Sequence, residues 1–343
     1  MSKILNKIKK NRLTLDSYIN LCLYKYNESF YEKKHIFGPR GNFITSPYIS
    51  SIFGEIVAIY IINHFLKKKI FNFSILEIGA GEGIMAQDII KTIKKFKEIN
   101  FSYTIIEKSK NLIEKQKVNT KNFKVNWVKS LKDVKEKNLF IISNELIDAY
   151  PVKHLKKIKN IWHEKYVFYD KKLNKIKTKY LKLKNKKLKI FNFLNNNAKF
   201  IEYSPQVLKF VEKVSKLIKK NENNCFLTFD YGYLRDEFKN TLQGLKKHKK
   251  VSVFEDPGDV DITYLVNFNL IQKFFNKKNK FKNIIMSQSR FLIDNGILTR
   301  LAQAKKVLKS EKEKIKLDLA VKRLIDPNKM GGLFQSFIIT NAN

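Results

Sequence analysis

The stretch Ile75-Leu-Glu-Ile-Gly-Ala-Gly-Glu-Gly83 constrains this chain more than any other, because an apolar strand runs into glycines at alternate positions and a helical pattern starts at Ile84. A strand that enters a turn without Cβ atoms and continues into a helix lets the backbone approach a nucleotide-like ligand closely. The spacing is Gly79-x-Gly81-x-Gly83, whereas the dinucleotide fingerprint carries its third glycine one residue later. The turn therefore predicts a nucleotide-cofactor site of another kind, with Glu77 on the strand that feeds it. A second acid fits the same picture: Ser102-Tyr-Thr-Ile-Ile-Glu107 alternates like a strand and ends in a carboxylate 24 residues after Gly83. At the tip of the neighbouring strand such a carboxylate can accept both hydroxyls of a ribose. An acid that merely opens the next helix would leave the strand, turn, helix and strand context without a purpose.

The pattern around the turn predicts an α/β protein. Strands are expected at 74–78, 101–107, 124–129 and 139–143, with helices at 84–97 and 109–117 between them. Such alternation implies a parallel sheet with helices on both faces. Upstream, Leu13 to Lys25 has helical periodicity, a glycine- and proline-containing loop follows through Gly38-Pro39 and Asn42, and Ser46-Pro47 reads as the N-cap and first turn of a helix reaching Phe65. Residues 152–190 change to short alternating segments separated by lysine- and asparagine-rich turns, a small antiparallel insertion. The sheet resumes at Asn224-Cys-Phe-Leu-Thr-Phe-Asp230, and apolar strands at 282–286 and 333–340 close it. The division expected is an N-terminal helical extension (1–70) contributing to the cleft, a core (71–151), an inserted subdomain (152–222) and a second core segment (223–343) carrying a substrate loop at 241–263.

Composition sets outer bounds. The only cysteines, Cys22 and Cys225, exclude a cysteine zinc cluster or a disulfide framework, and with the absence of a secretory signal pattern they predict a cytoplasmic protein. No apolar run is long enough to span a bilayer. The 69 basic and 31 acidic residues give a net charge of +38. Lysine is spread along the whole chain with Asn, Ile and Phe, as in sequences drawn from AT-rich codons. Weak, non-specific and salt-sensitive binding to nucleic acid is the expected consequence.

In an open parallel sheet the chemistry lies beyond the carboxyl ends of the strands, and the fourth strand ends in Asn144-Glu-Leu-Ile-Asp-Ala-Tyr-Pro151. Asn144, Glu145 and Asp148 are thereby candidates to face a reacting group. The competing reading is a cap for a helix after the strand. The segment lacks the Asn/Asp-Pro-Pro-aromatic element that holds a flipped base, which argues against a base-modifying enzyme.

The glycine turn resembles the first motif of S-adenosyl-L-methionine (SAM) methyltransferases, and further segments make the resemblance specific. Gly38-Pro-Arg-Gly-Asn-Phe-Ile-Thr-Ser-Pro47, Phe53-Gly-Glu55, Asn144-Glu-Leu-Ile-Asp-Ala-Tyr-Pro151, Glu202-Tyr-Ser-Pro205, Asp230-Tyr-Gly232, Thr241-Leu-Gln-Gly244, Asp256-Pro-Gly-Asp-Val-Asp-Ile-Thr263 and Met330-Gly-Gly-Leu-Phe334 fall in the order of the MidA-like family. That family is related to a mitochondrial complex I assembly factor, and the match covers about residues 12–340. The resemblance implies a Rossmann-like fold with a mostly parallel seven-stranded sheet, an N-terminal helical extension and an inserted α+β subdomain. It implies SAM as cofactor, bound by Glu77, Gly79, Gly81, Gly83, Glu107, Asn144, Thr45 and Ser46. The activity it implies is methylation of a protein arginine, with a complex I subunit or assembly intermediate as substrate. The family usually has Asp at Asn42 and Glu at Tyr48.

A guanidinium is cationic at neutral pH and needs carboxylates to hold it. Glu145, Asp148, Asp256 and Asp261 supply them, and the acids at 256, 259 and 261 are clustered in a lysine-saturated chain. As a turn alone, Asp256-Pro-Gly-Asp-Val-Asp261 would need no function. Two other classes share parts of the pattern: an RNA methyltransferase, and a catalytically silent assembly chaperone. A homodimer is compatible with all of these readings.

Overall fold

The computed structural model describes residues 2–33, 45–184, 188–194, 197–247, 249–278 and 281–341. The expected loop through Gly38-Pro39 and Asn42 lies outside them. The chain forms two compact units, one of residues 44–146, 213–231 and 280–343, the other of residues 1–43, 147–212 and 232–279.

The first unit is built on one sheet. Its strands are β1 (Asn72–Ile78), β2 (Asn100–Ile106), β3 (Asn126–Val128), β4 (Leu139–Asn144), β5 (Cys225–Tyr233), β6 (Phe281–Ser287) and β7 (Phe334–Asn341). Their spatial order is β6-β7-β5-β4-β1-β2-β3. Neighbours from β5 to β3 are parallel, while β7 runs antiparallel to both β5 and β6. The two closing strands pair as expected. The chain leaves β1 toward β2 and β3, then returns to the other side of β1 to form β4. A switch of direction between adjacent parallel strands opens a crevice beyond their carboxyl ends, which is where open α/β sheets bind ligands.

The apolar strands β1, β4 and β5 are buried because helices cover them. Helix Ser51–Leu66 contributes Phe53, Ile56, Val57, Ile61 and Phe65 to a core shared with Phe73, Phe140 and Phe229. Phe65 stacks on Phe73 at 4.4 Å. The predicted single helix from Ser46 to Phe65 is two helices. Ser46–Ile49 forms one turn with Thr45, not Ser46, at the N-cap position, and Ser50 is extended with its hydroxyl accepting from the Ile52 N–H at 3.3 Å. Ser50, a better cap than the sequence pattern revealed, starts the long helix.

The second unit holds two antiparallel sheets. Strand Ile161–Asp170 pairs with Lys153–Ile158, with Lys175–Lys182 and with Leu13–Thr14, and Lys153–Ile158 pairs with Phe200–Tyr203. Gln243–Lys246 lies between Lys249–Val251 and Asp261–Thr263. Residues 147–212, which hold most of the expected insertion, share this unit with residues 1–43 and 232–279, and the loop 241–263 falls in the same unit. Leu13 and Thr14, expected to be helical, add a strand to the insertion. The helix Leu15–Tyr24 that follows buries Tyr18, Leu21 and Cys22 in a core with Val152, Val167, Val260 and Ile262. Apolar burial thus joins three separate segments into one unit. Among the described residues no helix is long and apolar enough to cross a membrane.

Candidate functional site

The turn after β1 is shaped by its glycines. Gly79, Gly81 and Gly83 have φ of +69°, +54° and +84°, the left-handed region where L side chains are strained. A Cβ at Gly79 would also stand 2.8 Å from Leu146 Cδ1. The turn is held from both sides: the Gly79 N–H donates to the Ile106 carbonyl at 3.0 Å, and Asn119 Nδ2 donates to the Glu82 carbonyl at 2.8 Å. Gly83 occupies the N-cap position of helix Ile84–Ile93. First-turn N–H groups at such a helix start have no intrahelical partner and favour an anionic group.

Glu107 follows β2. Its Oε1 accepts from the Lys108 and Ser109 N–H groups at 2.7 and 3.0 Å, and its Oε2 from Gln116 Nε2 at 3.3 Å. A carboxylate bonded this way keeps a fixed direction and retains lone pairs for hydroxyl donors. Glu77 lies one strand away and is buried at 2% exposure, with Tyr103 OH donating to it at 2.6 Å. Burial, outweighing the Tyr103 bond, and the nearby Glu107 charge push its carboxyl up to about 7.

At the end of β4, Glu145 has φ +48°, an outlier for a residue with a side chain, and such strain concentrates at functional positions. Its N–H donates to the Phe229 carbonyl at 2.8 Å, and its Oε1 accepts from the Ser46 N–H and from Asn144 Nδ2, each at 3.2 Å. Asn144 Oδ1 is buried without a hydrogen-bond partner among the described residues. Ser46 is fully buried and donates its hydroxyl to Gln288 Oε1 at 3.2 Å, and Thr45 is 7% exposed. No helix follows β4, so the reading of Asn144-Glu145 as a helix cap has nothing to cap. Tyr48 donates to Glu82 Oε2 at 2.6 Å, while Lys115 meets Glu82 Oε1 at 2.5 Å. The structure therefore brings Glu77, Gly79, Gly81, Gly83 and Glu107 together, and joins Ser46 and Asn144 to Glu145, with Thr45 the residue before Ser46.

The other predicted acids lie in the second unit. Asp148 and Asp261 are 5% and 2% exposed. Burial first, and then the charge of Asp148, push the Asp261 carboxyl up to about 8. Tyr31 OH lies 3.4 Å from Asp261 Oδ1 and its ring stacks on Tyr24 at 5.3 Å. The 147–149 turn is pinned by Tyr24 OH on the Ala149 carbonyl at 2.7 Å and Tyr264 OH on the Ile147 carbonyl at 2.9 Å. Asp256 is not part of this group. Its side chain is half exposed and paired with Lys246 at 2.5 Å, its φ is +37°, and its carbonyl accepts from the Asp259 N–H. Asp259 is paired with Lys33. Of the three clustered acids, two build the turn and only Asp261 enters the interior.

Sequence reasoning missed Gln116, Tyr24 and Tyr31. For Gln116 a signal exists, since Leu112, Gln116 and Thr120 recur at four-residue spacing on one helix face, and a polar side chain on a buried face is the informative exception.

A glycine turn at a topological switch, a donor-bound carboxylate on the adjacent strand and an orphaned amide oxygen on the next fit a cofactor with a ribose and an amino-acid moiety. The sequence matches the model of the S-adenosyl-L-methionine-dependent methyltransferase family over residues 56–286, and the chain belongs to that family. It is an enzyme of the methyltransferase class with SAM as its cofactor. Its relatives include the mitochondrial protein arginine methyltransferase NDUFAF7 of Xenopus laevis, 25% identical over 99% of this chain and 84% of that protein. The Homo sapiens protein of that name is 27% identical over 95% of this chain and 80% of its own length. The fold is that of a Burkholderia thailandensis protein crystallised with S-adenosylhomocysteine, at a TM-score of 0.84 and 22% identity, covering 97% of this chain and 88% of that one. The cytoplasmic placement expected above is overturned, because these relatives carry mitochondrial names.

Proposed function

We propose that the protein transfers a methyl group from SAM to a guanidinium nitrogen of a protein arginine. We further propose that Gly79, Gly81, Gly83, Glu107, Asn144, Thr45 and Ser46 serve the cofactor, with Glu77 supporting them from within the sheet, that Glu145 is a catalytic acid at the end of β4, and that Asp148 and Asp261 hold the substrate cation. The observation that carries the substrate reading is the buried Asp148 and Asp261 pair beside stacked tyrosines, in a chain whose charge is overwhelmingly positive. A cation is favoured beside two buried carboxylates, and a guanidinium offers paired N–H donors and a planar face that stacks on aromatic rings. The names of the relatives support the same substrate. The resemblance to a family with a complex I assembly member makes a subunit of that complex, or an assembly intermediate, the first protein to try. Asp256, exposed and lysine-paired, is left to turn formation.

The sulfonium of SAM supplies an electrophilic methyl carbon. Carboxylates that bind a guanidinium fix its position and balance its charge, so most of the acceleration comes from position and charge. The nitrogen that gains the methyl must shed a proton. A carboxylate whose ordinary proton affinity has been raised is suited to receive it near neutral pH. Incubation with labelled SAM and a mitochondrial lysate, followed by acid hydrolysis, should place the label in methylarginine from protease-sensitive material. Label in nuclease-sensitive material, or in methyl-lysine, would overturn the substrate assignment.

A further inference from the structure

The glycine turn and Glu107 follow different strands, and one side chain outside every motif ties them together. Gln116, in helix Lys110–Asn119, is fully buried. Its amide has one permitted orientation. Trp127 Nε1 can only donate and lies 3.0 Å from Gln116 Oε1. Nε2 then offers two N–H groups to two groups that can only accept, the Gly81 carbonyl at 2.8 Å and Glu107 Oε2 at 3.3 Å. Thr120 Oγ1 donates to the Gln116 carbonyl at 2.7 Å, which anchors the backbone beneath it. Both N–H groups of the amide and its oxygen are engaged.

We propose that Gln116 is a positioning residue of the cofactor site, fixing the Glu107 carboxylate and the Gly81 peptide in the mutual arrangement that the ribose and the amino-acid half of SAM require. The inference rests on the reading that the glycine turn and Glu107 hold SAM. Binding then does not have to order two separate pieces, and the ordering cost is met on folding. A core-filling glutamine would behave differently, because methionine has nearly its shape and would replace it without loss of binding.

The test is calorimetric titration of S-adenosylhomocysteine into wild type, Gln116→Met, Gln116→Glu, Trp127→Phe and Glu107→Gln, each first shown to be folded by its thermal midpoint. Gln116→Met should bind roughly 10- to 100-fold more weakly, the loss typical of a hydrogen bond to a charged group. Gln116→Glu should be weaker still at pH 8, where it sets a second carboxylate against Glu107, and should recover toward pH 6 as it takes up a proton and can donate. Wild type supplies the reference curve over that range, including whatever the Glu77 carboxyl, raised to about 7, contributes, and the recovery is read as the change in Gln116→Glu beyond it. Trp127→Phe, at a half-buried position, should fold even where Gln116→Met does not, and should weaken binding about two- to fivefold by freeing the amide. Wild-type affinity in Gln116→Met or Trp127→Phe alongside impaired binding in Glu107→Gln would overturn the role of Gln116. Wild-type affinity in Glu107→Gln would instead remove the site reading on which the inference rests.

Discussion

The tips of β1, β2 and β4 and the Asp148 and Asp261 pair are both concentrations of carboxylate in a lysine-rich chain, yet they are built on opposite principles. Glu107 is surrounded by donors, two backbone N–H groups and the Gln116 amide, which stabilise its charge in advance. Asp261 is buried beside another acid, and although the Tyr31 hydroxyl at 3.4 Å and the Ile262 N–H donate to it, burial and the Asp148 charge push its carboxyl up to about 8. The first arrangement suits a ligand that brings neutral hydroxyls. The second suits a ligand that brings positive charge. A site whose ligand supplies positive charge can hold two acids together out of water, at a cost in stability that the ligand relieves.

The sharpest way to break the comparison is at the glycine turn, where the backbone itself is the recognition element. Gly81→Val places a β-branched residue at φ +54°, a conformation such residues adopt only under strain. We expect affinity for S-adenosylhomocysteine to fall by about 100-fold or more, a loss of roughly 2.7 kcal/mol. A folded Gly81→Val protein with unchanged affinity would separate the turn from the cofactor.

The acids should show the reverse profile. Glu145→Gln and Asp261→Asn keep shape and volume, so on the proposed reading they should lower turnover by about 30-fold or more while S-adenosylhomocysteine affinity stays within roughly threefold. Wild-type turnover in both variants would reduce these carboxylates to structural groups. Equal losses of binding and turnover would assign them to the cofactor instead.

These two regions also differ in how much the sequence revealed. The strand, turn, helix and acid-tipped strand were legible because each is a local pattern, with period-two alternation, glycines at fixed offsets and a carboxylate at a strand end. The antiparallel insertion was legible for the same reason. What stayed hidden depends on tertiary burial. Asp256 and Asp261 look alike in sequence, yet one is half exposed on Lys246 and the other is interior, because the strand Asp261–Thr263 begins just after the turn. Tyr24 and Tyr31 are unremarkable in a chain with 15 tyrosines until folding stacks them. Leu13 and Thr14 read as helix because their strand partner, Ile161–Asp170, is about 150 residues away, and local propensity cannot register such pairing.

The buried pair makes a further prediction on stability. The folded Asp261 carboxyl is raised to about 8 from an ordinary 3.8, so the stability it permits is fully present below about pH 4 and is lost as pH rises through 8. Asp261→Asn removes that dependence. Its thermal midpoint should exceed that of wild type by several degrees at pH 8.5, for a gain on the order of 1–3 kcal/mol, and the gain should shrink toward pH 5. A difference that is flat across the range would mean that the carboxyl is not held protonated. Substrate affinity should move the opposite way, rising with pH toward 8, because a bound cation must displace the proton that the empty site retains.

The smallest expected effect is at Tyr48, where the resemblance places a glutamate. Its hydroxyl donates to Glu82 Oε2 at 2.6 Å, and Lys115 holds the other oxygen at 2.5 Å, so the Glu82 side chain of the glycine turn is satisfied from two sides. Tyr48→Phe removes one donor and leaves the lysine, and it should weaken S-adenosylhomocysteine binding by no more than about fivefold, near 1 kcal/mol. Tyr48→Glu should be the more damaging change although it restores the family's usual residue, because a second carboxylate would then compete with Glu82 for one Lys115 ammonium. Raising the salt concentration should narrow the gap between the two variants, since the added penalty is a repulsion between partly exposed charges. If Tyr48→Glu binds as well as wild type, the Tyr48, Glu82 and Lys115 arrangement is an incidental packing of the turn, and the preorganisation attributed to this region rests on Gln116 and the glycines alone.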